Sequence, residues 1–292
     1  MYSLNKVGDH TYYIDSPANV GLYEYGGKVC MIDSGSDKDA AKKALRHIEE
    51  QGWTLEKVIC THSHADHAGG AALLKQRTGC TVYAAGAGAA IIENPILEPA
   101  NLFGGFPLRD MRSKFTMSPA CGCEKLTEEV LPAGLCFIHL DGHDFEQVAV
   151  KTSDGVWFVA DAVVSAQTLA KYKIAFLYDI ATHLESLKRL GTLEGRLFIP
   201  AHCEPMESIS DLARANIENI FEVAEVIKNF CADGLTVDDL LEKLFAEFGI
   251  RLYLMQYALI GHTTRSYLSW LCSRGEMEPV FNGTRLLWRT VR

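Results

Sequence analysis

The segment His62-Ser63-His64-Ala65-Asp66-His67 constrains this 292-residue chain more than any other, because it sets four metal-competent side chains within six residues. An apolar run, Val58-Ile59-Cys60-Thr61, precedes it and reads as a buried strand, and the small, flexible Ala68-Gly69-Gly70 follows. A strand that stops and delivers side chains into a tight turn converges ligands on one point. His62 and His64 alternate out of the strand end and can share one ion, while Asp66 and His67 turn towards a second. Imidazole nitrogen with carboxylate oxygen suits zinc, and also iron or manganese. The competing reading is a surface turn rich in His, but the whole chain has only 10 His, and that spacing is hard to reach by chance.

One turn cannot close two coordination spheres, so further ligands are sought downstream. Three candidates each end a strand-like run. Phe137-Ile138-His139-Leu140 leads into Asp141-Gly142-His143, which sets His143 on a Gly-bearing turn. Val156-Trp157-Phe158-Val159-Ala160 is a β-branched and aromatic strand ending at Asp161, and Leu197-Phe198-Ile199-Pro200-Ala201 leads to His202. His139 precedes His143 by four, but Gly142 argues against a helical pair, so His139 reads as a strand residue facing the core or the sheet rim. His10, His47, His183 and His262 lack ligand-like neighbours in sequence and read as structural or surface His. Cys60 and Cys203 flank the motifs and read as buried structural thiols.

With these steps in order, the chain resembles the metallo-β-lactamase-fold hydrolase superfamily over roughly residues 1 to 207. The resemblance rests on His62 to His67, Gly142-His143, Ala160-Asp161 and Ala201-His202. It implies a four-layer αββα sandwich, with His62, His64 and His143 on one metal and Asp66, His67 and His202 on the other. Asp161 would bridge the two. Ile32-Asp33-Ser34-Gly35 is similar to an early strand end of the family, which makes Asp33 a residue that orients the His turn. The chain departs from the pattern where Ala stands in place of Gly before Asp161 and before His202, which could shift those loops slightly.

The rest of the pattern agrees with an α/β layered domain. Thr11–Ile14, Val20–Tyr25 and Val29–Ile32 read as antiparallel strands with a Gly26-Gly27 turn. A helix is expected from about Asp37 to Gln51, capped by Ser36, and a short one over Ala71 to Arg77 before a strand at Thr81–Ala84. Residues 86 to 134 have little periodicity and read as a lid insertion. Its aromatics Phe103, Phe106 and Phe115 are expected to pack near the site and shape the substrate pocket. Arg109, Arg112 and Lys114 read as a solvated face.

Residues 208–292 read as a second, small unit. A long amphipathic helix over Asp211–Cys231 is followed by a helix capped at Thr236, by helical stretches at 252–260 and 264–273, and by a hairpin with an Asn282-Gly283 turn. Helices before a hairpin resemble a winged helix. From Arg251 onward six Arg face two Glu, a net +4 on a chain whose net charge is −9. Phosphate contact is therefore open, but the apolar surface of Arg265–Cys272 favours packing or a homodimer contact over groove entry.

Nothing at the start has the apolar run of a signal peptide, and no stretch is long and apolar enough to span a bilayer. Nine Cys, an odd number, then point to thiols in a reducing cytoplasm. Cys121-Gly122-Cys123 could be a redox or soft-metal pair, on a weak signal. The expected activity is hydrolysis with two divalent ions, most simply zinc, which would share a water and make hydroxide available near neutral pH. Asp66 would orient or shuttle the proton. A small ester or thioester ranks above a phosphodiester or RNA, because the chain is acidic. A metal- or redox-sensing DNA-binding regulator is the non-enzymatic alternative.

Overall fold

Strict alternation along the strands sorts the core into three apolar layers, and from these the architecture follows. The computed structural model describes residues 2–291. The first sheet runs in the order β1 (Ser3–Lys6), β2 (Thr11–Asp15), β3 (Val20–Tyr25), β4 (Lys28–Ile32), β5 (Thr54–Cys60), β6 (Thr81–Ala84) and β7 (Glu124–Lys125). β1 to β4 are antiparallel meanders; β4 to β7 pair in parallel. The second sheet is β8 (Leu135–His139), β9 (Val148–Thr152), β10 (Val156–Ala160) and β11 (Leu197–Pro200), in spatial order β11-β10-β9-β8.

Val29, Met31, Val58 and Cys60 point outward into a cluster with Ala41, Ala44, Leu45 and Ile48 of α1 (Lys38–Glu50). Their alternates Cys30, Ile32 and Ile59 point the other way, against Val148, Val150, Val156 and Phe158 of the second sheet. Trp157 and Val159 in turn face a helical layer. Period-two side chains thus give helix, sheet, sheet, helix, the four-layer α/β sandwich. Asp37, not Ser36, caps α1: its Oδ1 accepts from the Asp39 and Ala40 amides at 2.9 and 3.1 Å.

Along the chain, between β5 and β7 of the first sheet, come α2 (Ala65–Ala68), α3 (Ala71–Thr78), α4 (Gly86–Glu93) and α5 (Leu97–Phe103). The insertion is therefore ordered where an irregular lid was expected: two helices, and a strand that extends the first sheet. Phe103, Phe106 and Phe115 are all exposed and none lines the cavity beside His143 and Asp161, contrary to the expectation. Phe106 and Phe115 are 74% and 80% exposed, with Arg112 over the Phe106 ring and Lys114 paired to Asp37.

The outer helical layer is α6 (Ala166–Tyr172), α7 (Ile180–Leu190), α8 (Ser210–Phe230), α9 (Val237–Glu247) and α10 (Leu254–Ser273), followed by the hairpin β12 (Met277–Asn282) and β13 (Arg285–Thr290). One continuous apolar cluster joins Trp157 and Phe198 of the second sheet to Leu187, Val223, Leu241 and Tyr267 of these helices. α10 is a single helix, not two stretches. Packing overrides the poor helix propensity of Gly261, whose neighbour Thr263 is fully buried and accepts from the Leu177 amide at 3.1 Å. Tyr267, Leu268 and Leu271 are core residues, which leaves the segment 265–272 no free apolar face. Among the described residues no helix is long and apolar enough to cross a membrane.

Candidate metal centre

The site lies where β4 and β5 of the first sheet and β10 and β11 of the second end, so strand ends from both sheets deliver their terminal side chains to it. Beyond β5 the chain turns through Thr61 and Ser63 into the one-turn α2. His62, His64 and His67 leave this corner in converging directions. Asp33 locks it from the end of β4: Oδ1 accepts from the Thr61 amide at 2.8 Å, and Oδ2 contacts Thr61 Oγ1 at 3.0 Å and His67 Nδ1 at 2.8 Å. Asp33 adopts φ +61°, a left-handed conformation that a short polar side chain tolerates.

The other loops are tied down as tightly. Gly142 at φ +109° sits against His183, where any β-carbon would meet the α7 backbone. This glycine lets the turn carry His143 inward. Ala160 takes φ +49°, beside a register shift between β10 and β11 that re-aims Asp161. The Ala before Asp161 is thus accommodated at a strain of about 1–2 kcal/mol. Ala201 donates to the Ala160 carbonyl at 3.0 Å, joining the Asp161 and His202 loops. Asn19 Nδ2 reaches the carbonyls of Pro200 and Cys203 at 2.9 Å each.

All seven candidate ligands meet in two groups that share Asp161. His62, His64, His143 and Asp161 form one; Asp66, His67, His202 and Asp161 form the other, with one ligand atom per residue lying within 4.8 Å of the rest of its group. His64 Nδ1 lies 3.0 Å from His62 Nε2 and 3.1 Å from His143 Nε2. Asp161 Oδ2 is 3.5 Å from both His67 Nε2 and His143 Nε2, and its Oδ1 is 3.4 Å from His202 Nε2. The buried His67 Nε2 and Asp161 Oδ1 have no hydrogen-bond partner. Three imidazole nitrogens facing one another, beside orphaned buried acceptors, fit divalent cations between them.

The histidines are anchored from behind. His62 Nδ1 meets Thr61 Oγ1 at 3.1 Å, His143 Nδ1 the Phe176 carbonyl at 3.1 Å, and His202 Nδ1 the Pro17 carbonyl at 2.6 Å. With His67 on Asp33, four rings therefore aim Nε2 inward. His64 is reversed: Nδ1 points in, and Nε2 faces Glu98 Oε1 at 3.6 Å.

The electrostatics divide the histidines but not along the two groups, since burial at His64 of the first group is outweighed by Glu98 and Asp144, which raise it. Burial and neighbouring imidazoles keep His62 and His143 neutral, with His143 lowered to about 4. Burial disfavours charge on His67 and His202 too, but Asp33 and Asp161 outweigh it at His67, and Asp161 and Asp66 raise His202 to about 10. The first group is enclosed, whereas the Asp66 and His202 side chains are 42% and 40% exposed.

His139 lies in β8 but is exposed, with Nδ1 3.4 Å from Asp141 Oδ1. His183 is buried behind Gly142, and His262 rests against Phe176 and Tyr178. Cys203 joins neither metal group; burial and Asp161 push its thiol up to about 11. Cys121 and Cys123 also lie outside them. Sequence reasoning missed Glu98 and Asp144, which form a third cluster with His64. Asp144 was signalled only by its place beside His143, and Glu98 by nothing local.

A family model described as Metallo-beta-lactamase superfamily matches residues 13–202. Among curated proteins, a hydroxyacylglutathione hydrolase of Bradyrhizobium sp. (strain ORS 278) is 50% identical over 46 residues, covering 16% of this chain and 18% of that protein. A beta-lactamase hydrolase-like protein of Xylella fastidiosa (strain Temecula1 / ATCC 700964) is 54% identical over 39 residues, 13% of this chain and 9% of that protein. The matched segments thus span less than a fifth of these relatives. Among solved structures, a beta-lactamase domain protein from Burkholderia ambifaria superposes with TM-score 0.78 at 18% identity, covering 99% of this chain and 94% of its own. A metallo-beta-lactamase family protein from Thermus thermophilus gives 0.72 at 19%, covering 97% and 99%. With its strand-tip cluster and a family match over most of its length, the chain belongs to the metallo-β-lactamase superfamily.

Proposed function

We propose that this protein is a metal-dependent hydrolase acting on a small ester or thioester. The observation that carries this reading is a cavity of about 390 Å3 opening on the metal groups. His143, Asp161 and His202 line one part of it, and Val163, Ile174 and Phe176 another. Among the described residues no Lys or Arg lines it, so a substrate phosphate would find no fixed cation from them there. An uncharged acyl group fits this lining better than a nucleotide, and relatives named hydroxyacylglutathione hydrolase agree with ester or thioester chemistry.

In this reading His62, His64 and His143 would hold one ion and Asp66, His67 and His202 the other, with Asp161 shared by the two donor groups; zinc suits the donor set. When bound, such ions supply Lewis acidity and a nucleophile at neutral pH. The protein's own part is positional. Asp33 and the backbone carbonyls fix the imidazole orientations, and the walls formed by Val163 and Phe176 exclude water from the acyl side. Asp66, partly exposed beside His202, would orient or shuttle the proton between the site and solvent.

The test is elemental analysis of the purified protein, followed by turnover of aryl esters, acyl thioesters and a bis-aryl phosphodiester. Two zinc per chain, and ester or thioester hydrolysis lost in Asp161→Ala, are expected. Faster phosphodiester turnover would favour the nuclease reading. Salt-sensitive DNA retention without any hydrolysis would favour a regulator.

A further inference from the structure

We infer that Glu98, carried by α5 of the insertion, is a positioning residue for the metal centre, fixing His64 in its reversed orientation; this rests on His64 being a metal ligand. Four of the five site histidines turn Nε2 inward and anchor Nδ1 on Asp33, Thr61 or a backbone carbonyl. His64 has no backbone anchor of that kind. Its inner nitrogen is Nδ1, held at 3.0 and 3.1 Å from the other two imidazoles of its group. The outer Nε2 must then carry the proton, and the carboxylate it faces is Glu98.

Glu98 has little other reason to be there. It is only 6% exposed, and its Oε2 has no hydrogen-bond partner. A buried, unpaired carboxylate is costly unless a donor or cation compensates. The neighbouring carboxylate is no help. Asp144 is already committed, its Oδ2 to the Ser63 hydroxyl and amide at 2.6 and 3.2 Å and its Oδ1 to the Phe145 amide at 2.8 Å. Nor does α5 need Glu98 as a tether. Leu102 packs with Ala258 of α10, and Asn101 contacts His262 at 3.3 Å. The remaining function for the carboxylate is to accept from His64. At 3.6 Å the contact is just longer than a hydrogen bond and closes with a small ring movement once Nδ1 is engaged.

His64, Glu98 and Asp144 also have the composition of a third cation site. An imidazole that gives Nδ1 to one ion and keeps a proton on Nε2 cannot give that nitrogen to another. The insertion is thus part of the metal centre, through one carboxylate.

The experiment compares Glu98→Leu and Glu98→Gln with the parent. Metal stoichiometry, zinc affinity by chelator competition, the visible spectrum of the cobalt-loaded protein and the unfolding of the metal-free protein are measured. Glu98→Leu removes a buried carboxyl whose Oε2 lacks a hydrogen-bond partner, so the metal-free protein should unfold no more easily than the parent, while zinc affinity falls roughly 10- to 100-fold and the cobalt bands shift. Glu98→Gln still offers an oxygen to Nε2 and should recover much of that loss. If Glu98→Leu binds zinc within about twofold of the parent with an unchanged cobalt spectrum, Glu98 merely packs and the inference fails. A third metal equivalent lost in Glu98→Leu would also overturn it, in favour of a cation site. A parent that binds no metal would instead sink the hydrolase reading beneath it.

Discussion

Gly142→Ala is the substitution whose cost can be worked most directly from the geometry. A β-carbon at this position would lie 2.3 Å from His183 N and 2.6 Å from His183 Cα, against an ordinary contact of 3.4 Å or more. His183 cannot yield on its own. Its amide donates to the Asp179 carbonyl at 3.0 Å, and α7 is pinned by Leu184, Leu187 and Leu190 in the core. The Gly142 carbonyl also accepts from the Tyr178 and Asp179 amides at 3.0 Å each, so the turn is held on the side it would need to leave. Two costs combine. A φ of +109° strains any L-residue by about 1–3 kcal/mol, and overpacking against a fixed backbone costs about 1–3 kcal/mol more. Together they remove about 2–6 kcal/mol from a stability of roughly 5–15. Gly52→Ala separates the two, because Gly52 sits at φ +73° with nothing within 4 Å and should lose only about 1–2 kcal/mol. Urea unfolding of both variants gives the comparison, and chelator competition on Gly142→Ala should show weakened metal binding, since His143 is the next residue. Equal losses in the two variants would refute the steric argument.

Other outcomes follow from the same contacts. Asp33→Asn keeps an acceptor for Thr61 but removes the charge facing His67, and should weaken metal binding roughly 10- to 100-fold by chelator titration while leaving the fold intact by circular dichroism. The two ions should leave in order under a chelator, the one on partly exposed Asp66 and His202 before the one enclosed by His62 and His143; simultaneous loss would contradict the assignment of the halves. The α1 cap Asp37 is held below the usual carboxylate value by the Ala40 amide, and further by Lys114 and the Asp39 amide. Its contribution is fully present above that usual value and is lost as pH falls through the depressed folded value. Asp37→Ala should therefore cost about 1 kcal/mol at neutral pH, with the gap to the parent closing in strongly acidic urea titrations.

The parts of the site legible in the sequence share one physical property: each candidate ligand sits within a few residues of a strand-like apolar run. His62 to His67, His143, Asp161 and His202 all follow runs such as Val58–Cys60 or Trp157–Val159, so a local pattern carries a global position. The αββα layering was legible from the order of strand-like and helical segments and from the family resemblance, and the opposite facings of Cys30 and Met31 show how the layers pack. What could not be read depends on contacts between distant segments. Gly261 marks a break in α10 by propensity, and only Leu177, from another loop, makes Thr263 worth burying in a continuous helix. Residues 86 to 134 look aperiodic because their helices α4 and α5 are only eight and seven residues long and pack on different partners. Phe106 and Phe115, conspicuous in the sequence, remain in solvent, while the undistinguished Glu98 is buried against His64. An insertion reads as a lid when its composition is weighed alone. It becomes a supporting wall of the metal centre once the reversed ring of His64, which no sequence pattern encodes, leaves a protonated nitrogen facing that carboxylate.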